Sequence, residues 1–323
     1  MRRIAAAAVA ILGLVVAATA SAQSYPSRTV TIIVPYPAGG PTDTTARQVA
    51  EFLTKKLGQN FVVENVTGGS TIIATGRLAN AAPDGHTLLM HNLQITANVT
   101  LFKNLPFDTE KAIAPVMLVN KNPLVLVGRP GLPANNFKEL LALMKKERLR
   151  EALPGIGTTG HLISALLAQE AKVQIDFIPY RGAAPAMNDL LGNHIDLFVG
   201  TPQSIVPHVA AGKLKAYAIS SKEKSPKLPT ADSMVEALGP KFDIIYWQGM
   251  FAPAATPEAV IKTLNAALQD AVSDPGILAA WEKQGFDAFP KDQRSVAAAK
   301  AFMKSETARW GQVIRDNKIT VNQ

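Results

Sequence analysis

The feature that most constrains the fold of this chain is a repeated alternation of short β-branched runs with amphipathic helical stretches. The run 30–35, Val-Thr-Ile-Ile-Val-Pro, is typical of a buried strand. The segment 46–57 that follows it has apolar residues at helical spacing and ends at Gly58. This order recurs along the chain and predicts α/β layers with mainly parallel sheets. Further strands are predicted at 61–64, 87–90, 116–119, 124–127, 175–179, 195–199, 215–220 and 244–252, and further helices at 72–81, 137–150, 160–170, 185–191, 257–272 and 296–316.

Length and composition limit the class of protein. The chain has 323 residues, of which 47% are hydrophobic, and it contains no cysteine. A chain of this length is expected to form about two domains. The apolar content excludes a disordered or fibrous protein, and the absence of cysteine excludes a disulfide scaffold and any cysteine-based zinc or redox site.

The first 22 residues have the pattern of a secretory signal peptide. Met1-Arg2-Arg3 is a short basic segment, the run 4–18 is uncharged and apolar, and Ala20-Ser21-Ala22 is a small-residue cleavage motif. An N-terminal anchor helix is the alternative, but the run is short and rich in alanine for a membrane span. We therefore expect cleavage after Ala22 and a periplasmic mature protein.

The charge balance favours a small anion as the ligand over nucleic acid. The chain has 33 Lys and Arg against 25 Asp and Glu, a net charge of +8, and removal of Arg2 and Arg3 with the leader leaves 31 against 25, or +6. An exported protein rarely meets chromosomal DNA, and a modest positive excess attracts anionic solutes. The lysines lack interleaved aromatic residues, which argues against a platform for single-stranded nucleic acid.

Four predicted strand-to-helix loops are rich in small and hydroxyl residues, namely 35–43, 155–160, 179–185 and 200–204. Glycines let backbone N–H groups approach a ligand closely, and a helix start adds a partial positive charge. Each loop alone also fits an ordinary tight turn. Together they predict a ligand site, because α/β sheets bind ligands at the carboxyl ends of their strands.

The loop 155–160 matches the glycine pattern of dinucleotide-binding folds, and Asp176 lies about twenty residues further on. However, the preceding segment 148–154 is a weak strand pattern, and Asp176 lies inside its predicted strand. We therefore disfavour a dehydrogenase. The sequence also lacks a nucleophile elbow, a P-loop and paired metal-binding histidines, so neither a cofactor nor a metal is expected.

Ten ordered segments resemble one known family over essentially the whole mature chain. The chain is similar to the periplasmic solute-binding receptors of tripartite tricarboxylate transporters, the group that includes the Bordetella uptake gene products. The segments that carry the resemblance are 25–28, 35–43, 62–65, 82–88, 157–162, 179–182, 184–186, 201–202, 211–214 and 251–253.

The resemblance implies a type II periplasmic-binding-protein fold, with two α/β lobes joined by crossing strands around a ligand cleft. The lobes would comprise 24–123 plus 240–323, and 124–239. The ligand would be an organic carboxylate: a di- or tricarboxylate, an acidic amino acid or an aromatic carboxylate. It would be captured by hinge closure and delivered to the transporter's membrane subunits, and the receptor would be a monomer. An exported α/β enzyme (an oxidoreductase or a hydrolase) and a periplasmic ligand sensor are the alternatives.

The resemblance also implies the residues around the ligand. The family usually has a Gly-Ala-Gly-Gly-x-Ile-Gly run where this chain has Gly-Gly-Ser-Thr-Ile-Ile-Ala at 68–74, which makes Ser70 and Thr71 possible donors. The other candidates are Tyr36, Ala38, Gly39, Gly40, Asp43, His91 and Asn92 in the first lobe, and Gly157, Thr158, Thr159, Arg181 and Thr201 in the second.

Overall fold

A computed structural model describes residues 25–320, and the predicted signal peptide lies outside the described residues. The strands are β1 (Val30–Val34), β2 (Phe61–Asn65), β3 (Thr87–Asn92), β4 (Ile113–Pro123), β5 (Val125–Gly128), β6 (Leu149–Leu153), β7 (Ile175–Pro179), β8 (Leu197–Gly200), β9 (Lys215–Ile219), β10 (Asp232–Ser233), β11 (Ile245–Pro253) and β12 (Asp287–Ala288). The α-helices are α1 (Pro41–Leu57), α2 (Ile72–Ala79), α3 (Gln94–Leu101), α4 (Thr109–Ala112), α5 (Phe137–Met144), α6 (Thr159–Ala171), α7 (Ala183–Leu191), α8 (Pro202–Ala210), α9 (Met234–Leu238), α10 (Glu258–Ala271), α11 (Pro275–Gln284) and α12 (Val296–Asp316).

The strands form two six-stranded sheets with the orders β12-β4-β11-β3-β1-β2 and β10-β9-β5-β8-β6-β7. The prediction of mainly parallel sheets is wrong, because both sheets are mixed. In the first sheet β11 is antiparallel to β3 and β4, and in the second β5 is antiparallel to β8 and β9. β5 follows β4 directly where the chain enters the second sheet, and β11 follows elements of the second sheet, so neither strand belongs to a βαβ unit within its own sheet.

Strand β1, between β3 and β2 in the first sheet, illustrates how the sequence forms its core. Val30, Ile32, Ile33 and Val34 in β1 have no exposed surface. A continuous apolar run is what a strand covered on both faces requires. The following helix begins at Pro41 rather than at 46, because proline is well suited to the first position of a helix.

The predicted helix 137–150 is wrong in its second half. The helix ends at Met144, and Leu149–Leu153 forms β6 between β7 and β8. Leu149, Ala152 and Leu153 are buried in this sheet, whereas the four charged residues before them are exposed. The apolar residues of 149–153 continue the helical spacing of α5, but their pairing with β7 and β8 makes this segment a strand. The helices α3 and α11 were not predicted.

One buried serine joins the chain segments that cross between the two sheets. The Leu124 N–H, between β4 and β5, donates to Ser220 Oγ at 2.8 Å, and the Ser220 N–H donates to the Leu124 carbonyl at 2.8 Å. Ser220 Oγ also donates to the Ile244 carbonyl at 2.7 Å, just before β11. Within residues 25–320, no helix is long and apolar enough to cross a membrane.

Candidate functional site

The loops at the carboxyl ends of the two sheets touch each other. Gln94 Nε2, after β3, donates to the Ile156 carbonyl after β6 at 3.1 Å. A Cβ placed on Gly182 would lie 3.3 Å from Pro37 Cγ, so the loops after β1 and β7 are also in contact. Three of the four loops that the sequence singled out, 35–43, 155–160 and 179–185, therefore take part in contacts between the two sheets.

In the first loop, Asp43 holds the backbone in place. Its carboxylate accepts hydrogen bonds from the Gly39 N–H, from Asn65 Nδ2 and from Arg47 Nε, each at 2.9 Å. Burial opposes ionisation of Asp43, but the bonds from Arg47, Gly39 and Asn65 outweigh it and keep its pKa below the usual value. Gly40 occupies the N-cap position of α1, and no side chain caps this helix.

The remaining candidates of this loop differ in exposure. Ala38 and Gly39 are exposed, whereas Gly40 and Tyr36 are half-buried. Gly39 has a φ of 81°, in the left-handed region that favours glycine. The Tyr36 hydroxyl lies 2.7 Å from Asn92 Oδ1 and 3.1 Å from Gln94 Oε1, so Tyr36 contributes to a polar group at the end of β3.

Polar residues that the sequence reasoning missed complete this group. Tyr246 in β11 is buried, and its hydroxyl lies 2.9 Å from Thr42 Oγ1. It also accepts hydrogen bonds from Asn92 Nδ2 at 3.2 Å and from Gln248 Nε2 at 3.3 Å. Tyr246 is distant in sequence from the loops of the site, so no local motif marks it.

His91 and Asn92 lie inside β3, whereas the sequence placed them after a strand ending at 90. His91 has no exposed surface, and its Nδ1 accepts a hydrogen bond from the Asn92 N–H at 2.7 Å. Burial lowers the pKa of His91 to about 3. His91 is therefore a neutral buried side chain, and its Nε2 contacts Thr71 Oγ1 at 3.1 Å.

In the second lobe, the glycine-rich loop lies between β6 and α6. Gly157 has a φ of 76°, and its N–H donates to His161 Nδ1 at 3.1 Å. Thr158 occupies the N-cap position of α6, and its Oγ1 donates to the Gly155 carbonyl at 2.8 Å. The hydroxyl proton of Thr158 is thus used within the loop.

Two buried threonine hydroxyls stand at helix N-termini of the second lobe without a partner. Thr159 begins α6 and Thr201 immediately precedes α8, and neither Oγ1 has a hydrogen-bond partner within residues 25–320. The first N–H groups of α6 lack intrahelical acceptors, whereas α8 begins with Pro202, which has no N–H, and the Ser204 N–H already donates to the Thr201 carbonyl at 3.1 Å. The helix dipole makes both ends partially positive. This combination suits an anion whose oxygens accept several hydrogen bonds.

The second lobe also contains Arg181 and the residues that matched a dinucleotide-binding pattern. Arg181, after β7, is exposed. The segment before the glycine pattern is an ordinary strand, contrary to the prediction of a weak one, but Asp176 is the second residue of β7 and lies 3.6 Å from Arg148. Asp176 is therefore far from the carboxyl end where a ribose-binding acid is found. Within residues 25–320, no three His, Asp or Glu side chains are grouped to hold a metal ion.

Comparison with known proteins connects this geometry to a family. The model of the tripartite tricarboxylate transporter family receptors matches residues 45–319. The chain belongs to this family. The receptor is 34% identical to periplasmic binding protein BugD, whose structure superposes with a TM-score of 0.85 and covers 92% of this chain and 99% of that one. The predicted two-lobed α/β fold of periplasmic binding proteins is therefore confirmed.

Two further structures of relatives contain carboxylates. The receptor is 33% identical to MatC from Rhodopseudomonas palustris with bound malate, with a TM-score of 0.84 and coverage of 90% of this chain and 100% of that one. It is 26% identical to an R. palustris protein with adipate, with a TM-score of 0.85 and coverage of 92% and 99%. The predicted family and its carboxylate-binding character are thus confirmed at the level of the family.

Proposed function

We propose that this receptor binds an organic carboxylate between its lobes and delivers it to the membrane subunits of a tripartite tricarboxylate-type transporter. The observation that carries the proposal is the pair of buried, unpartnered hydroxyls of Thr159 and Thr201, at the N-termini of α6 and α8. Both hydroxyls and the free N–H groups at the start of α6 would donate to carboxylate oxygens.

Charge supports the same ligand class. Arg47 is paired with Asp43 at 2.9 Å, so it is not available to an anion. A carboxylate held by N–H groups and hydroxyls needs no buried cation, provided that its oxygens are all satisfied. The relatives with malate and adipate are consistent with this chemistry. Ala38, Gly39, Gly40 and Arg181 would form the rim of the site.

We propose that the lobes are 24–123 plus 240–323, and 124–239, and that they close by a hinge motion. Ser220 ties together Leu124 and Ile244, where the chain passes from one sheet to the other. A rotation about this point would separate the loops that now touch across the cleft. The proposed protein is a periplasmic monomer whose leader has been cleaved after Ala22.

The binding proposal is tested by calorimetry and thermal melting of the mature protein with a panel of mono-, di- and tricarboxylates. At least one acid is expected to raise the melting temperature, with an increase that grows with the logarithm of its concentration above Kd, because it binds the folded state. A panel without any such acid would overturn the proposal. So would the formation of product from a bound acid, since the proposed receptor carries out no turnover.

The transport role is tested in cells. Deletion of the transporter's membrane subunits is expected to abolish uptake of the identified acid, even when the receptor is present. Persistent uptake would contradict delivery to those subunits. A transcriptional response to the acid that survives this deletion, together with normal uptake in a strain lacking the receptor, would instead indicate a sensor.

A further inference from the structure

Two adjacent residues that are not glycine adopt left-handed backbone conformations at the edge of the proposed cleft. Ser70 has a φ of 49° and Thr71 a φ of 77°, both in the short turn before α2. A side chain is unfavourable in this region of backbone space. Thr71 is also buried, so the position of its side chain is determined by contacts rather than by solvent.

The hydroxyl oxygen of Thr71 receives two hydrogen bonds. His91 Nε2 lies 3.1 Å from Thr71 Oγ1, and because His91 Nδ1 accepts the Asn92 N–H, the proton of this neutral imidazole is on Nε2. Asn98 Nδ2 donates to the same oxygen at 3.0 Å. Both lone pairs of the hydroxyl are therefore occupied, and its own proton is left to be donated.

The side-chain amide of Asn98, in α3, lacks a donor for its oxygen, whereas Thr71 lacks an acceptor for its proton. Its Nδ2 donates to the Ser70 carbonyl at 2.8 Å as well as to Thr71, and a carbonyl can only accept, so the orientation of the amide is fixed. Its Oδ1 is buried and has no partner within residues 25–320. A Cβ placed on Gly157 would lie 3.9 Å from this oxygen, so Asn98 Oδ1 faces the glycine-rich loop of the other lobe.

We propose that Thr71 and Asn98 form a subsite for a hydroxyl group of the bound acid, so that the receptor's ligand is a hydroxycarboxylate. This inference rests on the proposed function. The Thr71 hydroxyl would donate to the ligand's hydroxyl oxygen, and the ligand's hydroxyl would donate to Asn98 Oδ1. A second carboxylate does not fit, because its oxygens cannot donate to Asn98 Oδ1.

An ammonium group is a poorer fit than a hydroxyl group. It would donate to Asn98 Oδ1, but it could not accept the proton of Thr71. It would also need a carboxylate nearby to offset the cost of burying its charge. The carboxylate of Asp43 in the first loop already accepts hydrogen bonds from Gly39, Asn65 and Arg47. The Thr71 hydroxyl as donor and Asn98 Oδ1 as acceptor therefore favour a hydroxyl group of the ligand.

Calorimetry with matched acids tests the subsite. The pairs are lactate and propionate, malate and succinate, citrate and tricarballylate, and mandelate and phenylacetate, each differing by one hydroxyl. In the pair that fits the cleft, the hydroxy acid is expected to bind about 10- to 100-fold more tightly. The deoxy acid lacks the hydroxyl group and therefore leaves the Thr71 hydroxyl and Asn98 Oδ1 buried without partners. If the receptor binds a member of some pair but the deoxy acid binds equally well or better, the subsite is wrong and the proposed function stands. If none of the eight acids binds, the proposed function fails and the subsite fails with it.

Variants at the turn separate recognition from folding. Thr71→Gly removes the hydroxyl at a φ that glycine adopts freely, so the turn is kept while the preference for the hydroxy acid falls at least 10-fold. The melting temperature is expected to fall, because His91 Nε2 and Asn98 Nδ2 lose the acceptor that they share, but the protein should remain folded. Thr71→Ser should keep the preference. Lys172→Gly is the matched control, since Lys172 is an exposed residue with a φ of 54° outside the site, so the change relieves the same kind of backbone strain and leaves Thr71 in place. An undiminished preference in a folded Thr71→Gly protein would overturn the subsite.

Discussion

Glu151 is a buried carboxyl group whose removal should change how stability depends on pH. It lies in β6 with no exposed surface, and Ser164 Oγ in α6 donates to its Oε1 at 2.5 Å. Its Oε2 has no partner within residues 25–320. Burial raises the pKa of Glu151 from 4.5 to about 8, and the hydrogen bond from Ser164 only partly offsets this effect.

The sign follows from the two pKa values. Between pH 4.5 and 8 the unfolded chain releases the proton of Glu151 while the folded protein retains it, so stability falls as pH rises. Each pH unit costs about 1.4 kcal/mol, which gives a loss on the order of 4–5 kcal/mol over the whole window. Glu151→Gln removes this loss. Its new N–H₂ group would be buried without an acceptor, at a cost of about 1–3 kcal/mol that does not depend on pH.

The two stability curves are therefore expected to cross. At pH 5 the wild-type protein should be the more stable, and at pH 8 Glu151→Gln should be the more stable by about 2–3 kcal/mol. Urea denaturation at pH 5, 6, 7 and 8 measures this difference, and Glu147→Gln, at an exposed position nearby, is the control. Parallel curves for wild type and Glu151→Gln across this range would refute the reasoning.

Three further perturbations test the site and the core. Thr159→Val and Thr201→Val should each weaken carboxylate binding about 10-fold without lowering the melting temperature, because each hydroxyl has no partner in the described residues; unchanged affinity in calorimetry would remove them from the site. Gly157→Ala should weaken binding at least 10-fold, since its Cβ would collide with Leu101 Cδ2, whereas Gly212→Ala, with a similar φ and open space, should bind normally. Equal affinity of the two glycine variants would show that this contact does not limit closure. As the pH falls below 6.5, the unfolded chain protonates His91, whereas the folded protein, in which the pKa of His91 is about 3, does not. The free energy of unfolding should therefore fall by up to about 1.4 kcal/mol per pH unit, and His91→Gln should reduce this slope in urea titrations. An unaltered slope would contradict the burial effect.

Much of the architecture could be predicted from local patterns. The strand at 175–179 and the helix at 296–316 were placed with the bounds that the structure has, because each has a clear period and clear stop residues. The predicted helix over 137–150 runs too far, because β6 has no distinctive period of its own. Its strand conformation comes from pairing with β7 and β8, which are distant in sequence.

The candidate site divides in the same way. The loops with Gly39, Gly157 and Thr201 were predictable, since small residues between a strand and a helix are local in sequence. Tyr246 was missed, because it approaches Thr42 only through the register of β11 with β3 and β4. Asp43 was predicted to contact ligand, but its carboxylate is occupied by Arg47, Asn65 and Gly39.

By itself, the sequence determined the βαβ order, the four small-residue loops and the resemblance to one receptor family, because all of these depend on residues close together along the chain. Only the tertiary structure decided which polar groups have partners. Thr158 and Thr159 are adjacent and identical in type, yet one hydroxyl bonds to its own loop and the other is buried without a partner. That difference arises from the packing of whole lobes, because a hydrogen bond requires a partner at the correct distance and angle.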